Sequence, residues 1–181
     1  MNTLVFDIQG SFAHFRKFYS NSTSLSYEFP PRTTICGMLA GVLGMERDSY
    51  YEIFSEDRAF IAVQLISPTK RLSQNINYMW AKSTNDLNGS GGRMQIPLEW
   101  VTNAKGIGCG KVRYRLYVHH VDHSVQKQLA AIIRENKTCY PLCLGITEAL
   151  GSLHFVDEVQ CEAVFAQETV EIATVSPIHF L

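Results

Sequence analysis

Residues 111–119, KVRYRLYVH, constrain this chain more than any other stretch. Val112, Tyr114, Leu116 and Val118 point one way, and Lys111, Arg113, Arg115, Tyr117 and His119 point the other. Strict alternation of this kind predicts a strand with one face on a core and one face turned away from it. Side chains two apart on one strand face lie about 7 Å from each other, so three cations in a row repel unless water or an anion lies over them. Either that face receives a polyanion, or it is a solvated sheet face of the sort that often carries Lys or Arg at an edge.

Net charge does not choose between these, because it is only −1 over 181 residues. Its distribution is more informative. From 61 to 121, Lys70, Arg71, Lys82, Arg93, Lys105, Lys111, Arg113 and Arg115 face only Asp86 and Glu99, a balance of +6. From 122 to 181 the balance is −5. Such asymmetry suggests a polyanion on one side of the fold.

The segment FPPRTTICGMLAGVLG, residues 29–44, predicts a loop halted by two prolines and then a helix. Thr33 is the expected N-cap, and Ile35, Met38, Leu39, Val42 and Leu43 recur at helical spacing toward a core. Gly37, Gly41 and Gly44 cost helix propensity and make sense where backbone approaches something closely. Arg32, Thr33 and Thr34 occupy the positive end of this helix, a place suited to a phosphate; the alternative is a solvated arginine beside capping hydroxyls.

Around these two anchors the rest falls into order. Residues 3–9 predict a first strand with Leu4, Phe6 and Ile8 on one face. The long connection from 10 to 31 carries Arg16, Lys17, Phe18 and Tyr19, so it is either a binding loop or a segment tucked onto the core by Phe12, Phe15 and Phe18. Residues 46–57 predict a short helix, and 58–66 a mostly apolar, central strand. Residues 70–101 predict a hairpin that leaves the body, with Leu72, Ile76, Tyr78 and Trp80 on one face of the outgoing arm and Met94, Ile96, Leu98 and Trp100 together on the return. Pro97 suits an edge, and the tip STNDLNGSGGR is flexible by composition. That apolar face has to be covered by its own domain or by a neighbouring subunit. Residues 123–136 predict an amphipathic helix capped by Asp122, followed by a glycine turn and strands near 159–166 and 169–175.

Strand, helix, strand, hairpin, strand, helix, strand is the order of an α+β ferredoxin-like βαββαβ domain, shared with RNA-recognition domains. The expectation is one domain over 1–181 with 70–110 as the inserted hairpin. No basic leader precedes an apolar stretch, and the longest apolar run is too short to span a bilayer, which predicts a cytoplasmic protein away from membranes. The five cysteines are odd in number and scattered, against a disulfide framework; Cys139 and Cys143 with His119, His120 and His123 lack the spacing of a zinc site, so no metal or cofactor is expected. There is no P-loop, GxSxG or HExxH, and GIGCG at 106–110 is misplaced for a dinucleotide fingerprint.

FDIQGSFAHFRKF at the start, then SLSYEFPPRTTICGMLAGVLG, resembles the N-terminal signature of the CRISPR-associated Cas five family, RAMP-type subunits of Cascade surveillance complexes, and is most similar to its type I-B branch. PLCLGITEAL, 141–150, resembles the family's later glycine-turn segment. The chain is short for the family, which implies a reduced C-terminal part. The resemblance implies a body that grips the 5′ handle of a CRISPR RNA (crRNA). It also implies a thumb hairpin against a backbone subunit of the Cas seven type, a large PAM-reading subunit of the Cas eight type as neighbour, and target DNA touched indirectly. The implied RNA contacts are Arg16, Lys17, Tyr19, Arg32, Thr33, Thr34, Lys70, Arg71, Tyr78, Trp80, Lys111, Arg113, Arg115 and His119, with cations on phosphates and aromatics under bases. The implied thumb interface is Leu72, Ile76, Met94, Ile96, Leu98 and Trp100.

Some relatives cut precursor RNA without metal, with a tyrosine, lysine and histidine. Lys111 with His119 is the only same-face pairing here, and eight residues of strand put them about 26 Å apart, so a non-catalytic subunit is expected. A metal-independent endoribonuclease and a module that binds only proteins are the alternatives.

Overall fold

The structure is a computed structural model and describes residues 1–20, 22–162 and 171–176. In chain order its elements are β1 (Asn2–Gly10), β2 (Phe12–Ala13), β3 (Phe15–Arg16), β4 (Ser26–Tyr27), α1 (Arg32–Leu43), β5 (Ala59–Leu65), β6 (Thr69–Met79), β7 (Arg93–Asn103), β8 (Val112–His120), α2 (His123–Arg134) and β9 (Gly151–Gln160). The fold is α+β with antiparallel sheets. The main sheet runs β5-β8-β1-β9, a second runs β2-β7-β6, and β3 pairs with β4.

The alternation in β8 places the core. Leu4, Phe6 and Ile8 of β1 stand opposite Val118, Leu116 and Tyr114 of β8, and all six are buried. Ile35 and Leu39 of α1 and Leu129 and Ile133 of α2 join them in one cluster, so both helices pack on the even face of β8. Burying apolar area here, at about 25 cal/mol per Å2, is what holds sheet and helices together.

Several local expectations change. α1 begins at Arg32 with Pro31 in the cap position and no side-chain cap, so Thr33 lies in the first turn. The fixed φ of proline suits a helix start, but it offers the first-turn N–H groups no side-chain acceptor. Asp122 does cap α2, accepting from the Ser124 backbone N–H. Residues 46–57 form turns, not a helix. Asp48 sits at φ 64°, and the Ser49 and Ser55 hydroxyls donate to the carbonyls of Glu46 and Glu52, competing with a helical ladder. β5 lies at the sheet edge rather than the centre, and the Val175 N–H donates to the Val63 carbonyl along that edge. Of the expected tail strands, the first begins inside β9, residues 163–170 lie outside the described residues, and 171–175 belong to no strand.

The hairpin registers as its pattern demands. Leu72 faces Trp100, Gln74 faces Leu98, Ile76 faces Ile96 and Tyr78 faces Met94, so one face is apolar along both arms. At its base this face is covered: Phe12 and His14 meet the Trp100 ring edge-on and Leu98 is buried. Toward the tip Tyr78 stays exposed, and Trp80 lies just beyond the strand under the Lys82 ammonium. Among the described residues no helix is long and apolar enough to cross a membrane.

Candidate nucleic-acid interface

The cationic face of β8 carries its own anion. Asp7 on β1 stands opposite Arg115, and its side chain is only 2% exposed. Arg115 donates to it through Nε at 2.8 Å and Nη2 at 3.2 Å, and Arg113 donates through Nη2 at 2.7 Å. Burial pushes the Asp7 carboxyl up, but the hydrogen bonds and charges of Arg115 and Arg113 outweigh it and hold the group below its ordinary value. The repulsion foreseen along this strand is thus relieved from within, and the triad presents one net positive charge rather than two. Further along the face, Tyr117 donates to Gln64, and His119 donates from Nδ1 to the Asn2 carbonyl while stacking on Phe60.

Arg32 is likewise engaged. Its Nη2 reaches the carbonyls of Phe54, Ser55 and Ala59, at 3.2, 3.1 and 2.7 Å, and closes the turn that leads into β5. A guanidinium spent on three carbonyls is a structural clamp, and it is not free to define a phosphate site at the helix start. Thr34 instead lines a cleft of about 230 Å3 with Gly37, Gly41, Tyr140, Cys143 and Gly145, between α1 and the segment that precedes β9. The helix glycines are legible here: the Gly41 and Val42 carbonyls accept from the backbone N–H groups of Tyr140 and Cys139. Gly145 has no alternative, since a Cβ there would lie 1.9 Å from the His14 carbonyl oxygen.

The turn that follows β3 is the most distinctive surface. Phe12 and Phe15 do tuck inward, Phe15 onto Tyr114, but Phe18 is 87% exposed and Tyr19 58%. The two rings meet edge to face at 5.3 Å. Lys17 places its ammonium over Tyr19 and Tyr27, Arg16 donates to the Ser20 carbonyl, and the Ser20 hydroxyl closes the turn on the Lys17 carbonyl. Of the two readings the sequence allows for Phe18, binding loop or core, its spacing at i, i+3, i+6 with two buried partners favours a third core residue, whereas the ring is exposed.

The other expected contacts are dispersed. Arg71 lies 3.3 Å from Glu28 and 3.9 Å from Glu99, both partly exposed pairs. Lys70 and Lys111 are exposed near the hairpin base. Tyr78 and Trp80 sit at its far end, apart from the turn at 16–19. Tyr114 is buried with its hydroxyl on the Glu28 carbonyl, and burial pushes its phenol far up. His120 is buried too, bonded to the Ile53 carbonyl and accepting from the Asp122 N–H. No group of three His, Cys, Asp or Glu among the described residues is arranged for a metal.

No curated protein matches. A solved structure of a Cas protein superposes with a TM-score of 0.56 at 12% identity, over 90% of this chain and 67% of that one. A chain from a CRISPR RNA-guided surveillance complex superposes with a TM-score of 0.54, again at 12% identity, over 82% of this chain and 59% of that one. At such identities these show a shared fold, and this chain spans roughly three fifths to two thirds of their length. The model of the family described as CRISPR-associated protein (Cas_Cas5) matches residues 3–128, taking in β1, the aromatic turn, α1, the hairpin, β8 and the start of α2, and the chain belongs to that family.

Proposed function

We propose that this chain is a non-catalytic subunit of a CRISPR RNA-guided effector complex that holds the 5′ handle of the guide RNA, caps the backbone filament and supports target recognition next to a large PAM-reading subunit. The observation that carries it is the turn at 16–19, where two exposed rings stand beside two cations on a strand-anchored base. That is the equipment of a single-strand site: bases stack on rings and cations meet phosphates. Membership of the family and the fold shared with a surveillance-complex chain support it. The strand order β5-β8-β1-β9, with α1 and α2 on one face, supports a ferredoxin-like body over 1–181. The half-covered apolar face of β6 and β7 supports a thumb at 70–110 that docks on a backbone subunit.

Arg113 and Arg115 take a lesser place in this scheme than Arg16 and Lys17, because Asp7 already answers half of their charge and holds both guanidiniums. The test is co-purification of the assembled complex followed by sequencing of its RNA. One short shared 5′ sequence is expected, and Phe18→Ala with Tyr19→Ala should cut RNA retention about tenfold or more, at about 1–3 kcal/mol per stacked base. Retention unchanged in the double variant would overturn the assignment. Specific cuts in precursor RNA, made in EDTA and abolished by His119→Ala, would replace the non-catalytic role with endoribonuclease activity.

A further inference from the structure

β5 is an edge strand that carries few of the features that usually protect one. Ile66 donates its N–H to the Arg113 carbonyl and Val121 donates to that of Arg58, so the even-numbered residues of this segment turn their backbone groups toward β8. In an antiparallel ladder the odd-numbered ones, Ala59, Ile61, Val63 and Leu65, therefore face away from it. Such a row of outward N–H and C=O groups is a template for another strand, and proteins blunt it with charges, proline, a bulge or a cover. β5, AFIAVQL, has no charged residue, no proline and an unbroken register with β8. The opposite edge differs: β9 carries Asp157 and Glu158, and its register with β1 shifts between Val5 and Phe6.

Two contacts do reach the outer side of β5. At its start Ala59 is closed off, with its N–H on the Ser55 carbonyl and its own carbonyl under the Arg32 guanidinium. Farther along, residues 171–176, EIATVS, meet the edge, where Val175 donates its N–H to the Val63 carbonyl at 2.8 Å. Ile172, Thr174 and Val175 give this segment a strand-forming composition, although it belongs to no strand. Ile172 and Val175 line a cleft of about 960 Å3 with Phe29, Ile35, Phe60 and Val63. They stay 52% and 40% exposed. Among the described residues a single backbone bond seats this cover, and its side chains are half in water, so it is detachable.

We propose that residues 171–176 are a detachable strap that occupies the outer edge of β5 and keeps it from pairing with β5 of a second copy. Such an edge can pair with itself, since two antiparallel copies related by a two-fold axis offer each other the same outward groups. The strap competes for those groups from within the chain, at an effective concentration that a separate copy does not reach. This role is independent of the RNA contact proposed at 16–19 and concerns the state of the chain before it joins other subunits.

The test follows hydrogen exchange and self-association of the full chain. In the wild type the Val175 amide should exchange at least about tenfold more slowly than an amide in an unstructured peptide, and sedimentation should show a monomer. Val175→Pro deletes the donor and should tighten self-association about tenfold, the effect of one net hydrogen bond. Val175→Thr keeps the N–H and should stay monomeric. Adding Leu65→Lys to Val175→Pro puts a charge on the bare edge and should restore the monomer. An unprotected Val175 amide, a wild-type dimer, a Val175→Pro chain that stays monomeric, or a dimer indifferent to Leu65→Lys would each overturn the strap. The amide readout needs no substitution, so it decides the matter even where Val175→Pro disturbs folding.

Discussion

Arg115 holds Asp7 with two nitrogens across the pairing of β8 and β1, at 2.8 and 3.2 Å, and Arg113 closes on the same carboxylate at 2.7 Å. A strand face that looks like a receptor for an external polyanion has an internal anion built into the next strand. Asp7 is thereby the residue on which the charge of this sheet face depends.

Replacing Asp7 with Asn should destabilise the protein by roughly 2 kcal/mol at neutral pH, because it leaves two guanidiniums without their carboxylate. The pH dependence has a definite sign. The folded-state pKa is depressed, so the stabilisation is fully present above the unfolded value of about 3.9 and is lost as pH falls through the folded value. Urea midpoints for the wild type and Asp7→Asn should therefore differ at pH 6 and converge toward pH 2. A constant gap across that range would show that the carboxylate's charge is not what stabilises the site.

Arg32→Ala should behave as a stability variant. Loss of its bonds to the carbonyls of Phe54, Ser55 and Ala59 is expected to cost about 2 kcal/mol, read as a lower denaturation midpoint. The salt slope of RNA binding should stay unchanged. A reduced slope with unchanged stability would return Arg32 to the phosphate contacts.

Gly145→Ala should be among the most damaging single-methyl changes available. Gly145 sits at φ 98°, and the added carbon would lie 1.9 Å from the His14 carbonyl oxygen, whose own N–H donates to the Leu144 carbonyl. A cost of more than about 2 kcal/mol is expected, with the cleft beside α1 disrupted. Gly108→Ala meets only the backbone penalty, about 1 kcal/mol, since nothing lies within 4 Å. Thermal midpoints of the two variants side by side check the contrast.

Tyr78→Glu at the outer end of the hairpin should leave folding within about 0.5 kcal/mol of wild type, because the ring is already 42% exposed. Assembly with a backbone subunit should be lost, measured as a missing higher-mass species in native mass spectrometry. Intact assembly would move the docking surface elsewhere on the chain.

What the sequence alone determined is whatever follows from period and from neighbours in the chain: the alternation of β8, the apolar face shared by the two hairpin arms, the Asp122 cap and the family signature. Those depend on φ/ψ preference and on side chains a few residues apart. What only tertiary structure decided involves partners far away in sequence. Asp7 meets arginines more than a hundred residues on, Arg32 reaches carbonyls of a turn that was expected to be a helix, and β5 becomes an edge because β8 is the one strand it pairs with among the described residues. Whether Phe18 is core or surface was decided the same way, by a turn closed through the Ser20 hydroxyl. Charge and ring type can be read from a string of letters. Whether a charge is already answered, or a ring already covered, depends on which strand comes to lie beside it.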